Sequence, residues 1–319
     1  MAFPNISDIL ATTIESRSRS IADNVMENCA LYMKLKVGGR TKTISGGDKI
    51  LQELSFAENG NAGFYSGYDR LPVAAQDVLS AAEYDIKQAA CAVVISGLEQ
   101  LKNSGKERMI DLMDSRMTVA ESTMVNLLCN AAYSDGTGYG GKEVTGLDIA
   151  VPLDPTTGTY GGINRPTWTF WRSKVVDDGD ATTIQASMNS LWAQTVRNMD
   201  HPDLIVADNT HWSAYVASLQ ALQRFTNAET GELGFPTLKF MGTDYILDGG
   251  IGGSCPAGTA FFLNTKFLHW RPHAQRNMVP LSPNRRYATD QDAEVQILAW
   301  AGNMTCSGAQ FQGRHDINA

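Results

Sequence analysis

Apolar residues recur at Ile110, Met113, Met117, Ala120, Met124, Leu127 and Ala131, in steps of 3, 4, 3, 4, 3 and 4. That spacing predicts one helix over 106–133, uninterrupted by Gly or Pro and roughly 40 Å long. Only one narrow stripe is strongly apolar, so the helix should lie across a surface and not inside a bundle. A coiled coil is the competing reading, but regular charge pairs beside the stripe are missing.

The flanking segments change period. Ile6, Leu10, Ile14, Ile21, Val25 and Leu31 fall near helical spacing over residues 1–36. The segment KVGGRTKTISGGDK, with Lys36, Arg40, Lys42 and Lys49 against Asp48, predicts an exposed linker. Strands are predicted at 50–57 and at 82–95. In the second, Tyr84, Ile86, Ala90, Ala92 and Val94 share one parity and Glu83, Asp85 and Lys87 the other. The weakly patterned stretch between them, ENGNAGFYSGYDRLPVAAQDVLSA, is too long for an ordinary connection and predicts an arm that reaches out and returns.

After the long helix comes a glycine-rich region, with EVTGLDIAV as loop or strand. RPTWTFWRS then predicts a strand with Trp168 and Phe170 on one face. Asp180 is placed to cap a helix over 181–198, with Ile184, Met188, Leu191 and Trp192 inward. DLIVAD predicts a short buried strand. A helix over 209–225 follows, carrying Trp212, Tyr215, Val216, Leu219 and Leu222 on one side. From 237 onward strands dominate, ending in the alternating run DAEVQILAWAGNMTCSGAQFQGRH. The class is α+β.

Composition narrows function. The 319 residues carry a net charge of −8 and are 43% hydrophobic and 19% charged, an ordinary globular balance. An acidic chain is a poor nonspecific nucleic-acid binder, though it can enclose nucleic acid without adhering to it. No apolar run is long enough to span a membrane, and the start has no signal-peptide pattern. Five scattered cysteines without a C-x-x-C read as free thiols in a reducing cytoplasm.

Candidate chemistry is sparse. Gly136, Gly138 and Gly141 spell G-x-G-x-x-G, followed by Lys142. A dinucleotide turn must follow a strand and open a helix, whereas these glycines follow a helix; they read as a helix stop and turn. His269 and His273 have ligand-like spacing, but Pro272 between them excludes the helix that would align them. Asp177, Asp178 and Asp180 resemble part of a calcium loop without its terminal glutamate. No catalytic residue, metal site or cofactor is predicted. One charge feature stands apart: Lys266, Arg271, Arg276, Arg285 and Arg286 occur over 266–289 without an acid. They suit the acidic face of a neighbouring subunit better than nucleic acid.

The order of parts resembles the major capsid protein of tailed bacteriophages with the Hong Kong 97-like fold. Three stretches carry the likeness: ISGLEQLKNSGKERMIDLMDSRMTVAESTMVNLLCNAAYSDGTG, GLDIAVPLDPTTGTYGGINRPTWTFW and FYSGYDRLPVAAQDVLSAAEYDIKQ. They are similar to that fold's spine helix, the segment after it, and the extended loop. The resemblance implies an N-terminal arm at 1–46, an extended loop with its strands at 47–96, and a peripheral domain at 97–180. An axial domain at 181–288 and terminal strands at 289–319 returning to the peripheral domain complete it.

It further implies a structural protein without catalysis, assembling through hexamers and pentamers into an icosahedral shell around double-stranded phage DNA. The shell is expected in the virion, assembled in the bacterial host cytoplasm. A separate scaffolding protein, a portal and, optionally, a decoration protein are the expected partners. Some members cross-link through a lysine in the extended loop; here no lysine lies between Lys49 and Lys87, so no such link is expected. Exposed aromatics often anchor interfaces, which marks Phe64, Tyr65 and Tyr68, with Arg70 beside them, as contacts to the next subunit. Packing of the aromatics within their own arm is the alternative. An encapsulin-like compartment shell, a glycine-loop enzyme for a phosphorylated ligand and a DNA-binding protein remain open as other readings.

Overall fold

The structure, a computed structural model, describes residues 30–102, 106–177, 181–220, 237–249, 253–281, 286–287 and 292–317. The pattern over Ile6 to Val25, Leu222, Asp178, Asp180, Cys29 and Arg285 therefore lie outside the described residues.

Helix α1 (Ala30–Val37) leads to a hairpin of β1 (Lys49–Ser55) and β2 (Leu79–Asp85), paired from Lys49↔Asp85 to Ser55↔Leu79. Strand β3 (Lys87–Ser96), the short α2 (Gly97–Lys102) and the long α3 (Lys106–Tyr133) follow. At 28 residues, α3 is about 42 Å long. Beyond it come α4 (Leu147–Ala150), the small hairpin β4 (Thr159–Tyr160) and β5 (Ile163–Asn164), then β6 (Lys174–Asp177). The remaining helices are α5 (Ile184–Thr195) and, after β7 (Leu204–Ala207), α6 (Asn209–Gln220). Strands β8 (Thr237–Phe240), β9 (Thr243–Leu247), β10 (Thr259–Leu263) and β11 (Leu268–Pro272) precede β12 (Val279–Pro280) and β13 (Arg286–Tyr287). The chain closes with β14 (Ala293–Cys306) and β15 (Gly313–Asp316).

Two sheets organise these elements. In the first, the 14-residue β14 pairs with β3 from Ala293↔Ser96 to Gly302↔Lys87, and with β11, β12 and β13 in turn. The second has the order β6-β15-β10-β7-β9-β8, with parallel pairs β6–β15 and β7–β9. Both its faces are covered, which explains why DLIVAD is apolar without alternation. Ile205, Ala207, Ala260 and Phe262 pack toward α5 and α6 around Tyr215 and Tyr245. Leu204, Val206, Phe261 and Leu263 face the other way, into a larger core with the C-terminal half of α3 and Trp300.

Several sequence expectations need correction. The alternation over 82–95 is not one strand. At Ile86 the chain leaves the β1–β2 hairpin and enters the five-stranded sheet, and the phase slips by one. Cys91, Val93 and Ile95 then turn inward with Ala89, whereas Ala90, Ala92 and Val94 are exposed. Phe170 lies in a 3-10 turn (Thr169–Trp171) that Trp168 precedes, not in a strand, and the two rings pack on Phe56, Trp168 at 5.5 Å and Phe170 at 5.8 Å. The segment read as loop or strand contains α4. The helix expected at 181–198 is a 3-10 turn followed by α5; Ile184, Met188 and Leu191 are buried and Trp192 half-buried. The terminal run splits: β14 joins β3, but β15 inserts between β6 and β10 in the other sheet.

The predicted stripe on α3 is also too narrow at one end. Met117 and Ala120 meet Val93 in a small cluster. From Met124 onward the buried face widens to Val125, Leu128, Cys129, Ala131, Ala132 and Tyr133, because α3 there runs into the larger core.

Candidate assembly surfaces

The glycine turn holds no anion cradle. The amide of Gly136, at φ 79°, donates to the Ser134 hydroxyl at 3.0 Å, and that hydroxyl donates to the Glu143 carboxylate at 2.6 Å. Gly138 lies against the same carboxylate, so an acid fills the turn where a phosphate would need donors. The glycines stop α3 and fold the chain back on it. There Gly146 donates to the Ser134 carbonyl at 3.1 Å.

Among the described residues, the histidines join no ligand set either. His211 contacts the Tyr245 hydroxyl at 2.7 Å through Nδ1 and His315 at 2.7 Å through Nε2. Burial and the adjacent His315 push its pKa down to about 3, so the imidazole is neutral inside the core. His269 lies among Lys42, Arg271 and Arg40, cations that would repel a metal ion; burial first, then those charges, bring it down to about 4. His273 accepts from the Gln275 amide at 3.1 Å instead. Among the described residues, no helix is long and apolar enough to cross a membrane, and Cys91, Cys129, Cys255 and Cys306 are free thiols.

The unusual features are on the surface. Beyond Phe56, whose amide donates to Val78 at 3.1 Å, the β1–β2 hairpin opens into a loop that is exposed almost throughout. Phe64 and Tyr68 are as exposed as in an extended chain, at 111% and 106%, and Tyr65 is 66% exposed. The aromatics therefore do not pack within their own arm. Arg70 is also exposed. Within the loop, Asn61 donates across to the Ala74 carbonyl at 2.6 Å and the Ser66 N–H donates to the Asp69 carboxylate at 2.9 Å.

A second surface lies on the five-stranded sheet. The exposed Ala92 and Val94 and the off-stripe helical residue Val119, 66% exposed, line an open groove of about 340 Å³ between β3 and α3. Arg116 borders it, holding Glu99 by two bonds of 2.8 and 2.9 Å and the Val94 carbonyl at 2.8 Å. Sequence reasoning missed this groove. Its signal was Val119, an apolar residue outside the helical stripe.

The structure separates the basic residues of 266–289. Lys266 pairs with Asp200 at 2.7 Å. Arg271 binds Thr305 Oγ1 at 3.3 Å and Gln52, and Arg276 binds Gln88 at 3.2 Å. Arg286 lies in β13 against Val295. Among the described residues, Lys266, Arg271 and Arg276 thus have separate partners and do not form one stripe.

No protein-family model matches the sequence, and no curated protein matches it. Whole-chain likeness to solved structures is clear. The cyanophage A-1(L) capsid asymmetric unit matches with a TM-score of 0.61 at 16% identity, over 89% of this chain and 92% of that one. The capsid of an empty GTA particle matches at 0.59 and 13%, over 89% and 96%. The holo-SrpI encapsulin complex from Synechococcus elongatus PCC 7942 matches at 0.53 and 7%, over 87% and 84%. The chain thus has the fold of phage capsid subunits, as the order of its parts suggested. Its mixed helices and sheets agree with that fold over 89% of the chain.

Proposed function

We propose that this chain is the major capsid protein of a tailed phage, a structural subunit that self-assembles through hexamers and pentamers into an icosahedral shell. The supporting observation is the capsid-subunit fold over about nine-tenths of the chain. The surface geometry agrees with it. A loop of 23 residues, 56–78, can project about 35 Å from its hairpin, and its exposed aromatics gain little until another body covers them. The groove at Val94 and Val119 offers a neighbouring copy such cover. Phe64, Tyr65 and Tyr68 would anchor there, with Arg70 at the edge. Many modest contacts of this kind, repeated around a closed shell, sum to a stable particle.

On this reading the chain is non-enzymatic, encloses double-stranded DNA without reading its sequence, and resides in the virion after assembly in the host cytoplasm. Separate scaffolding and portal proteins would complete assembly. An encapsulin-like compartment is the second reading, favoured by the shared fold with the SrpI shell.

Light scattering and negative-stain electron microscopy of the expressed protein test the proposal. Closed shells, or hexamers and pentamers, are expected. A small oligomer that never assembles, even with a scaffolding protein present, would overturn it. Packaged DNA in particles from infected cells separates the phage reading from the compartment reading.

A further inference from the structure

The linker after α1 is bound to the first sheet more closely than its composition suggests. Thr41 and Ile44 bridge Trp270 and His273 in parallel register, and Lys42 N–H donates to the Trp270 carbonyl at 2.9 Å. Residues opposite one another share a face, so Thr41 lies with Trp270, and Arg40 and Lys42 lie with His269 and Arg271. Two cations from the linker thus join one from β11 around a buried imidazole.

Three observations mark this cluster as unfinished. Among the described residues, no ion pair involves Arg40, Lys42 or Arg271. His269 is 5% exposed, and its Nδ1 lacks a hydrogen-bond partner, as does the buried Nε of Arg40. Such groups are costly to leave unsatisfied. Finally, the charges are gathered in a chain of net charge −8, where carboxylates are plentiful.

A complementary segment exists in the same chain. Between Glu53 and Asp77 the hairpin and its loop carry Glu53, Glu58, Asp69 and Asp77 against the single base Arg70. None of these acids makes an ion pair within its own subunit among the described residues. We propose that Arg40, Lys42 and Arg271 form a carboxylate-binding cluster that receives the acidic extended hairpin of a second copy. This rests on the shell reading and adds a partner segment to it. The Ala92 and Val94 side of the groove lies on the same face of the sheet as His269 and Arg271. Gln88 and Val94 mark its two ends along β3, about 20 Å apart. A hairpin with its tip in the groove can therefore bring Asp77 or Glu58 toward the cations. A long nucleic-acid backbone fits less well, since it needs an extended cationic stripe.

The test uses the full chain with charge reversals. Lys42 is exposed and, among the described residues, its side chain makes no hydrogen bond or ion pair, so Lys42→Glu should fold normally, checked by circular dichroism and melting. Its assembly at low salt, followed by light scattering, should slow by about tenfold or more. Glu58→Lys with Asp77→Lys should slow it similarly. Combining all three changes in one chain should restore most of the rate. Wild-type assembly with an indifferent Lys42→Glu variant, or no rescue in the combination, would overturn the cluster but leave the shell reading intact. Salt-sensitive binding of a short DNA duplex that disappears in Lys42→Glu would also overturn it, by giving the cluster to nucleic acid. A wild-type chain that never assembles would remove the shell reading itself.

Discussion

Gly146 shows how far a single residue's role can depend on packing. A Cβ at this position would lie 2.5 Å from the Ala131 carbonyl oxygen and 2.6 Å from the Ser134 nitrogen, both backbone atoms that cannot step aside. Gly146→Ala should cost about 1–3 kcal/mol in urea unfolding of the dissociated subunit. Gly140→Ala, where a Cβ meets nothing within 4 Å, should cost less, about 1 kcal/mol from its φ of 71°. The conspicuous glycine spelling lies at 136, 138 and 141, while Gly146, outside that spelling, is the neighbour held tightly against backbone atoms. Spacing cannot show which backbone a glycine will meet.

His211 sets a second residue-scale expectation. Its folded pKa of about 3 lies below its ordinary value of 6.5, so the unfolded chain takes up the proton first as pH falls. The stability contribution is complete above about 6.5 and erodes toward pH 3, by about 1.4 kcal/mol per pH unit within that window. Asp208 and Asp316 favour the protonated ring but are outweighed by burial and His315. Asp248, raised by burial, works in the opposite sense at its own site. The comparison of wild type with His211→Gln, by urea titrations between pH 4.5 and 7.5, removes that background. The variant should show a flatter pH profile, and an equal slope would refute the assignment.

Among the elements, α3 was the most legible. Its ends, 106 and 133, follow from an unbroken 3–4 period without Gly or Pro, since a helix repeats its face regardless of what covers it. The cover itself was not legible. Met124 is fully buried, and Met124→Ala should cost about 2–5 kcal/mol in the same unfolding measurement. Val119→Ala, five residues earlier, should change subunit stability by less than about 0.5 kcal/mol while weakening assembly, because its side chain faces the groove. Strand β3 teaches the converse. Its alternation was visible, but the slip at Ile86 was not, because the apolar residues on both sides of the slip are compatible with either parity. Only the change of sheet fixes which set is buried.

For the whole molecule, the distinguishing feature is a packed body with an exposed loop at 56–78 that carries three aromatic residues. Replacing Phe64, Tyr65 and Tyr68 together with Ser should leave the melting temperature of the unassembled subunit almost unchanged, since all three are already in solvent. Particle formation should fall sharply. Normal shells from the triple variant, seen by negative-stain microscopy, would exclude these residues as anchors.

The sequence by itself determined the long helix, the hairpin with its oversized loop, the short buried strand at 203–208 and the order of parts that resembles a capsid subunit. Each of these rests on local periodicity or on composition, which the chain carries wherever it folds. The tertiary structure alone decided that β15 returns to the six-stranded sheet and that β3 reverses its buried parity. It also decided that Arg40 and Lys42 meet His269 and Arg271 across more than two hundred residues of chain. Those outcomes depend on which distant segment supplies the matching hydrogen bonds, apolar surface or charge, and no short stretch of sequence contains that information.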